Sequence, residues 1–235
     1  MRTFRFIAVL TTGSLAWAML GSAAPAAPAN GPVVVELYQS QGCSDCPPAQ
    51  DYLNRLADRS DVLALSFGVT YWDYLGWKDS FASPQFTQRQ RDYATRSGNG
   101  EVATPQYWIN GQTTVLGANP GRVAQVIAQS REAGGLRVGF TGARVSIGAG
   151  NAPRGGADVW LVHYDPRTIQ VAVRAGENDG RTLPHRDIVR ELTRIGHWTG
   201  APLSIAVGPA KDPAWKTAIL VQAGTGGPIL AAAKG

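Results

Sequence analysis

The stretch Cys43-Ser44-Asp45-Cys46-Pro47-Pro48 holds both cysteines of this 235-residue chain. An apolar run ending Val33-Val34-Val35-Glu36-Leu37-Tyr38 comes just before it, and a helical pattern over residues 49–59 comes just after. A strand, a tight turn carrying two thiols and a helix start are the arrangement that thiol–disulfide exchange needs. A bridge between Cys43 and Cys46 closes a very short loop. Loop-closure entropy grows with loop length, so such a bridge adds little stability. A redox couple explains the pair better than a structural disulfide; a metal-binding pair is the remaining alternative.

The N-terminus bears on the redox compartment. Arg2 and Arg5 precede an apolar segment from Phe6 to Leu20, and small residues follow in Gly21-Ser22-Ala23-Ala24. This is the pattern of a secretory signal peptide over residues 1–29, with the mature chain expected to begin between Ala24 and Asn30. An uncleaved anchor is the alternative. The expected location is secreted or periplasmic, with no membrane span after cleavage. Hydrophobic residues make up 44% of the chain, enough for a sizeable core. The formal charge is +5, and losing Arg2 and Arg5 leaves +3. The arginines are scattered, which argues against a nucleic-acid partner.

Along the chain, Val33–Tyr38 and Val62–Val69 read as buried strands. Pro47 and Pro48 suit a first helical turn, where a missing N–H costs nothing. Tyr71-Trp72-Asp73-Tyr74-Leu75-Gly76-Trp77-Lys78-Asp79 is the most aromatic stretch. Residues 86–96 read as a helix, Thr104-Pro105-Gln106-Tyr107-Trp108-Ile109 as a strand entered through proline, and Asn110-Gly111 as a hairpin turn. Val115-Leu116-Gly117 is the return strand and residues 120–133 a helix. Beyond Gly134-Gly135 the pattern turns to short strands over 136–140, 143–147, 158–164, 168–175, 203–207 and 216–222. One short helix is expected near Asp187–Thr193. The second region thus reads as an all-β unit of sandwich or barrel type.

The order strand, Cys-x-x-Cys, helix, strand, inserted helix, Thr-Pro strand, hairpin, helix resembles the thioredoxin fold over about residues 32–133. More narrowly, the chain resembles the secreted, thioredoxin-like DUF1223 family. The resemblance runs through Val34-Glu36-Leu37, Ser40-Gln41-Gly42-Cys43, Cys46-Pro47-Pro48-Ala49, the stretch 71–79, and Gly176-Glu177-Asn178 through Gly180-Arg181-Thr182-Leu183. The family often carries His and Asp in the strand before Tyr71, where this chain has Gly68 and Thr70. The resemblance implies a cis bond before Pro105, lying against the dithiol, with Thr104 pairing with a substrate backbone. It also implies an acid beneath the resolving cysteine as a proton relay, and Glu36 is the candidate. A structural, salt-bridged Glu36 is the alternative, as an ordinary edge-strand proline is for Pro105.

Within the motif, Cys43 is the expected nucleophile, because a helix N-terminus favours a thiolate. Cys46 is the expected resolving thiol. Asp45 opposes the thiolate through its charge, and Pro47 removes a nearby donor, so a moderate potential is expected. Trp72 and Asp73 are candidates for a substrate groove, with plain packing as the alternative for Trp72 and Trp77. The three histidines, His163, His185 and His197, all lie in the second region and read as strand or loop residues. A Cu(I) site at the two sulfurs therefore lacks an evident third ligand. Glu177-Asn178-Asp179-Gly180-Arg181 reads as a turn.

The expectation is an α/β chain: a thioredoxin-like domain over 30–134 with an inserted aromatic and helical segment, then a β-rich, sandwich-like domain over 135–235. The expected activity is thiol–disulfide exchange with protein or peptide thiols and an unidentified redox partner, with no cofactor and no metal. A non-catalytic binding or scaffold protein is the alternative from another class, and a Cu(I)-handling protein the third.

Overall fold

The computed structural model describes residues 1, 31–98, 100–130 and 135–235. Apart from Met1, the expected signal peptide lies outside the described residues. The fold is mixed α/β and rich in sheet, with three α-helices among the described residues. In chain order the elements are β1 (Val33–Gln39), α1 (Cys46–Leu56), β2 (Val62–Gly68), a 3-10 turn (Asp73–Leu75), α2 (Pro84–Arg96), β3 (Gln106–Ile109), β4 (Thr113–Leu116) and α3 (Pro120–Ser130). Then follow β5 (Val138–Thr141), β6 (Arg144–Ile147), β7 (Ala157–Asp165), β8 (Ile169–Ala172), β9 (Thr182–His185), β10 (Ile188–Trp198), β11 (Leu203–Ala206), β12 (Lys216–Gln222) and β13 (Ile229–Lys234).

β1 and β2 are buried along their whole length and pair in parallel. That is why both read as near-continuous apolar runs: helices cover both faces of a central parallel pair. Side chains alternate across β1. Val33, Val35 and Leu37 face α1 and α3, packing with Ala49, Leu53, Val123 and Ile127. Val34 and Tyr38 face the other way, into a core with Leu65, Phe67, Phe86 and Tyr93 of β2 and α2. β3 lies antiparallel to β1, and β4 closes the edge through a tight hairpin. In the three residues between the paired Ile109 and Thr113, Asn110 and Gly111 take φ of 49° and 61°, a left-handed backbone that Asn and Gly adopt most readily.

The large sheet does not stop where the sequence pattern changes at 134–135. Its order is β13-β12-β7-β10-β2-β1-β3-β4. β10 joins β2 in parallel at Ile188↔Ser66, beside a Ser66 N–H donated to the Asp187 carbonyl at 2.8 Å. The strands β7, β10, β12 and β13 thus extend the sheet of the first half. A smaller sheet, β11-β6-β5, packs on the outer strands, with Val145 and Ile147 against Val159, Ile219, Val221 and Trp198. β8 and β9 form a separate hairpin, and α1 packs against β9.

The short helix expected near Asp187–Thr193 is instead the start of β10. Two register shifts, between Val189/Glu191 and Arg194/Gly196, interrupt its pairing with β7. Each inserts an extra residue and resets the inside–outside alternation. The period of two is therefore not visible in the sequence, although Val189 and Leu192 both reach the core. Among the described residues no helix is long and apolar enough to cross a membrane.

Candidate functional site

The dithiol sits where β1 hands over to α1. Cys46 is the first residue of α1, with Pro47 and Pro48 filling the first turn. The turn is closed by two backbone bonds, Cys43 N–H to the Ser40 carbonyl and Cys46 N–H to the Cys43 carbonyl, both 3.2 Å. Both thiols are free, and both residues are only 1% exposed, while Ser44 and Asp45 between them face solvent.

The two sulfurs are not equivalent. The Cys43 thiol is pushed below the ordinary cysteine value. The largest cause is hydrogen bonding from Cys46; desolvation opposes it, and the Thr104 side chain and the N–H groups of Asp45 and Cys46 add to it. The Cys46 thiol is pushed well up, first by burial and then by its position against Cys43. A shared proton between such neighbours favours one thiolate and disfavours the second. Asp45 supports the Cys43 thiolate through its backbone N–H, and its exposed side chain gives α1 no capping hydrogen bond.

The Thr104–Pro105 peptide bond is cis, and the Thr104 carbonyl accepts from the Cys43 thiol at 3.7 Å. The Trp72 indole N–H donates to Thr104 Oγ1 at 2.7 Å. That bond uses the hydroxyl oxygen as acceptor and leaves its own proton free to point at sulfur. Cys43, Cys46, Thr104, Pro105 and Trp72 are thus brought together. Asp73 is not part of that contact set: its carboxylate accepts from the Asp79 N–H at 3.2 Å and braces the loop.

Residues 71–81 form a strap over the turn before Cys43. Asp79, almost fully buried, accepts the N–H of Gln41 at 2.8 Å and that of Phe81 at 2.8 Å. Burial raises its carboxyl to about 6 against these two bonds. The Gln41 side chain accepts from the Trp77 indole at 2.9 Å and donates to Ser80 Oγ at 3.2 Å. Gly68, at the end of β2, is met so closely by residues 81 and 82 that an added Cβ would lie 2.8 Å from their backbone. Glycine there lets the strap lie flat on the sheet end.

Of the two readings of Glu36, an acid beneath Cys46 or a structural, salt-bridged residue, the structure shows the second. Strand alternation puts its side chain on the α2 face of the sheet, opposite α1. There Arg89 donates to it twice, at 3.1 and 2.8 Å, and the Tyr38 hydroxyl lies 3.4 Å away. Arg89 also donates to Gln222 of β12 at 2.9 Å and to the Tyr93 hydroxyl at 2.9 Å. This is a fully buried charge pair joining both halves of the sheet.

Other partners of the dithiol come from the second half. The Asn178 side-chain amide donates to the Gln41 carbonyl at 2.9 Å and the Cys43 carbonyl at 2.7 Å, while Arg181 donates to its oxygen at 2.6 Å. The Glu177 carboxylate accepts from Ser44 N–H at 2.9 Å and Ser44 Oγ at 2.8 Å. The segment is a turn, as its composition suggests, closed by the Asp179 N–H to the Gly176 carbonyl at 3.2 Å, and it also clamps the motif. His185 of β9 and Cys46 line one small cavity. Nothing in local spacing announces these contacts, which span about 135 residues of chain. The signals were an Asn flanked by charged and turn residues and the family resemblance that runs through Gly176-Glu177-Asn178. Among the described residues no group of three or more His, Cys, Asp or Glu is placed to hold a metal ion.

Comparison with known proteins agrees with this architecture. The crystal structure of a protein from Agrobacterium tumefaciens is similar to the chain at 31% identity, covering 88% of this chain and 95% of that one, with a TM-score of 0.72. No curated protein matches the chain. Residues 34–222 match the family described as "Protein of unknown function (DUF1223)", a span that includes β1 from Val34 on, the dithiol, the strap and the Glu177–Asn178 clamp; the chain belongs to the DUF1223 family.

Proposed function

We propose that the chain is an exported thiol–disulfide oxidoreductase on a thioredoxin-like framework, acting on protein or peptide thiols through Cys43 and Cys46. The observation that carries this reading is the opposite displacement of the two thiols, Cys43 towards thiolate and Cys46 away from it. The element order from β1 to α3, with Thr104 and cis-Pro105 beside the dithiol, supports the framework. Arg2, Arg5 and the apolar stretch after them support export, and N-terminal sequencing of the mature form tests it.

In this mechanism the Cys43 thiolate attacks one sulfur of a client disulfide. The client S–S bond breaks, its second sulfur leaves as a thiolate, and Cys43 is left in a mixed disulfide. Cys46 then loses its proton and attacks Cys43. The client's first sulfur leaves with the electron pair, the client is reduced and the protein pair is oxidised. The reverse sequence oxidises a client dithiol. Thr104 and Trp72 form the rim at which a client strand is met, and Asp73 holds the strap behind them.

One observation favours a second, non-catalytic reading: Cys43 is only 1% exposed, so a client reaches its sulfur only when the rim yields. Equilibration with glutathione redox buffers and assay of disulfide reduction separate the two. The oxidoreductase reading predicts a defined two-electron midpoint and turnover abolished by Cys43→Ser. Exchange no faster than that of an equal concentration of free cysteine contradicts it.

A further inference from the structure

Resolution of the mixed disulfide needs a place for the Cys46 proton, and burial holds that proton tightly. Glu36 is bound to Arg89 on the far face of the sheet and does not supply one. On the near side, Cys46 and His185 line one small cavity together with Ser40, Gln50 and Leu183. Its free space is about 10 Å³, the room that one water needs. His185 is 1% exposed, and neither ring nitrogen has a hydrogen-bond partner. A neutral imidazole carries one donor and one acceptor, and leaving both unmade in a buried site is costly. Its ring is fixed edge-on to Phe81, at 5.5 Å between centroids. The core thus keeps a base-bearing ring with free nitrogens beside the resolving thiol.

We propose that His185 accepts the Cys46 proton, through one water in this cavity, as Cys46 attacks the mixed disulfide at Cys43. The Cys46 S–H bond breaks as the water takes its proton and passes another to a ring nitrogen. The new Cys43–Cys46 S–S bond forms as the Cys43–client bond breaks, and the client sulfur leaves with the electron pair. The imidazolium then returns its proton through the same water, and solvent or the departing thiolate takes it. Burial holds the resting imidazole down at about 4, so the ring is neutral at rest and a lone positive charge on it is disfavoured. Positive charge appears on it only while the thiolate forms beside it, so the two charges are created as a pair and neither is buried alone. His185 acts through the water and is a positioning residue for the resolving step. Asp51 of α1 also lines the cavity, but its side chain is on the exposed side of the helix.

The inference rests on the oxidoreductase reading, and stopped-flow reaction of the reduced protein with the aromatic disulfide DTNB separates the two. Attack by Cys43 releases one thionitrobenzoate, and resolution by Cys46 releases a second. Wild type with no second release defeats the oxidoreductase reading, and the His185 role falls with it. Given a second release, His185→Gln and His185→Phe are expected to slow it at least tenfold and leave the first within twofold. Asp51→Asn is expected to leave both within twofold. A second phase within twofold of wild type in both His185 variants overturns the proposal. So does equal slowing of both phases, which marks a structural role, or slowing by Asp51→Asn alone. Should neither His185 variant fold, 15N NMR of wild type decides. The His185 ring nitrogens are expected to shift between dithiol and disulfide forms while those of His197 stay unchanged; no shift at His185 overturns the proposal.

Discussion

Cys43 and Cys46 are the same residue three positions apart, yet their protons are held oppositely. Cys43 gains hydrogen bonds from Cys46, Thr104 and two backbone amides, whereas Cys46 is mostly desolvated. Thr104→Val keeps the shape and removes the hydroxyl. It is expected to raise the Cys43 thiol and slow its first exchange step roughly fivefold to tenfold at neutral pH, a hydrogen bond to a charged group contributing about 1.5 kcal/mol. Thiolate absorbance against pH and the first DTNB phase check both. The place of the dithiol was legible in the sequence, because the apolar run before it and the Pro-Pro helix start after it bracket the turn. The role of Glu36 was not, because its face depends on strand parity, and Val35 and Leu37 claim the α1 side. Glu36→Gln leaves Arg89 without its counter-charge and is expected to cost about 3 kcal/mol in urea unfolding. In the folded protein the resolving phase should stay within twofold of wild type; a slowed resolving phase would return Glu36 to the chemistry.

At the level of elements, the segment 176–181 was the hardest to read. Its Gly, Asn and Asp content fits any turn, and only the fold shows Asn178 donating to the carbonyls of Gln41 and Cys43. Asn178→Ala leaves both carbonyls without that donor in a buried site, which is expected to cost about 2–3 kcal/mol. Urea unfolding measures it, and wild-type stability in the variant contradicts the clamp. β10 was hidden by its two bulges. β13, Ile-Leu-Ala-Ala-Ala-Lys, was hidden because alanine carries little strand preference and its place is set by pairing with β12. β1, β2, α2 and the β3–β4 hairpin were legible because apolar run, period, proline and Asn-Gly turn agree locally.

For the whole molecule, one eight-stranded sheet joins the dithiol half to the β-rich half, and the Arg89–Glu36–Gln222 network ties β1, α2 and β12 together. The pH dependence of stability should show the burial of His185. Its unfolded proton affinity lies near 6.5 and its folded value near 4, so between these the unfolded chain binds more protons. Stability from this group is full above about 6.5 and is lost as pH falls towards 4. Asp79 and Asp187, raised to about 6 and about 7, act in the opposite sense, their cost appearing as pH rises. Their effects cancel when wild type is compared with His185→Gln. Between pH 6.5 and 4 wild type should lose about 3 kcal/mol relative to the variant, and parallel urea unfolding curves at both pH values would contradict a buried neutral imidazole. The central claim, that Cys43 attacks and Cys46 resolves, is tested most directly by trapping with the two single mutants in the cell fraction that holds the protein, followed by mass spectrometry. The account predicts that Cys46→Ser accumulates mixed disulfides with client thiols and that Cys43→Ser accumulates none. Equal trapping by both would contradict the roles, and no trapping by either, with an inert dithiol in exchange assays, would contradict the activity.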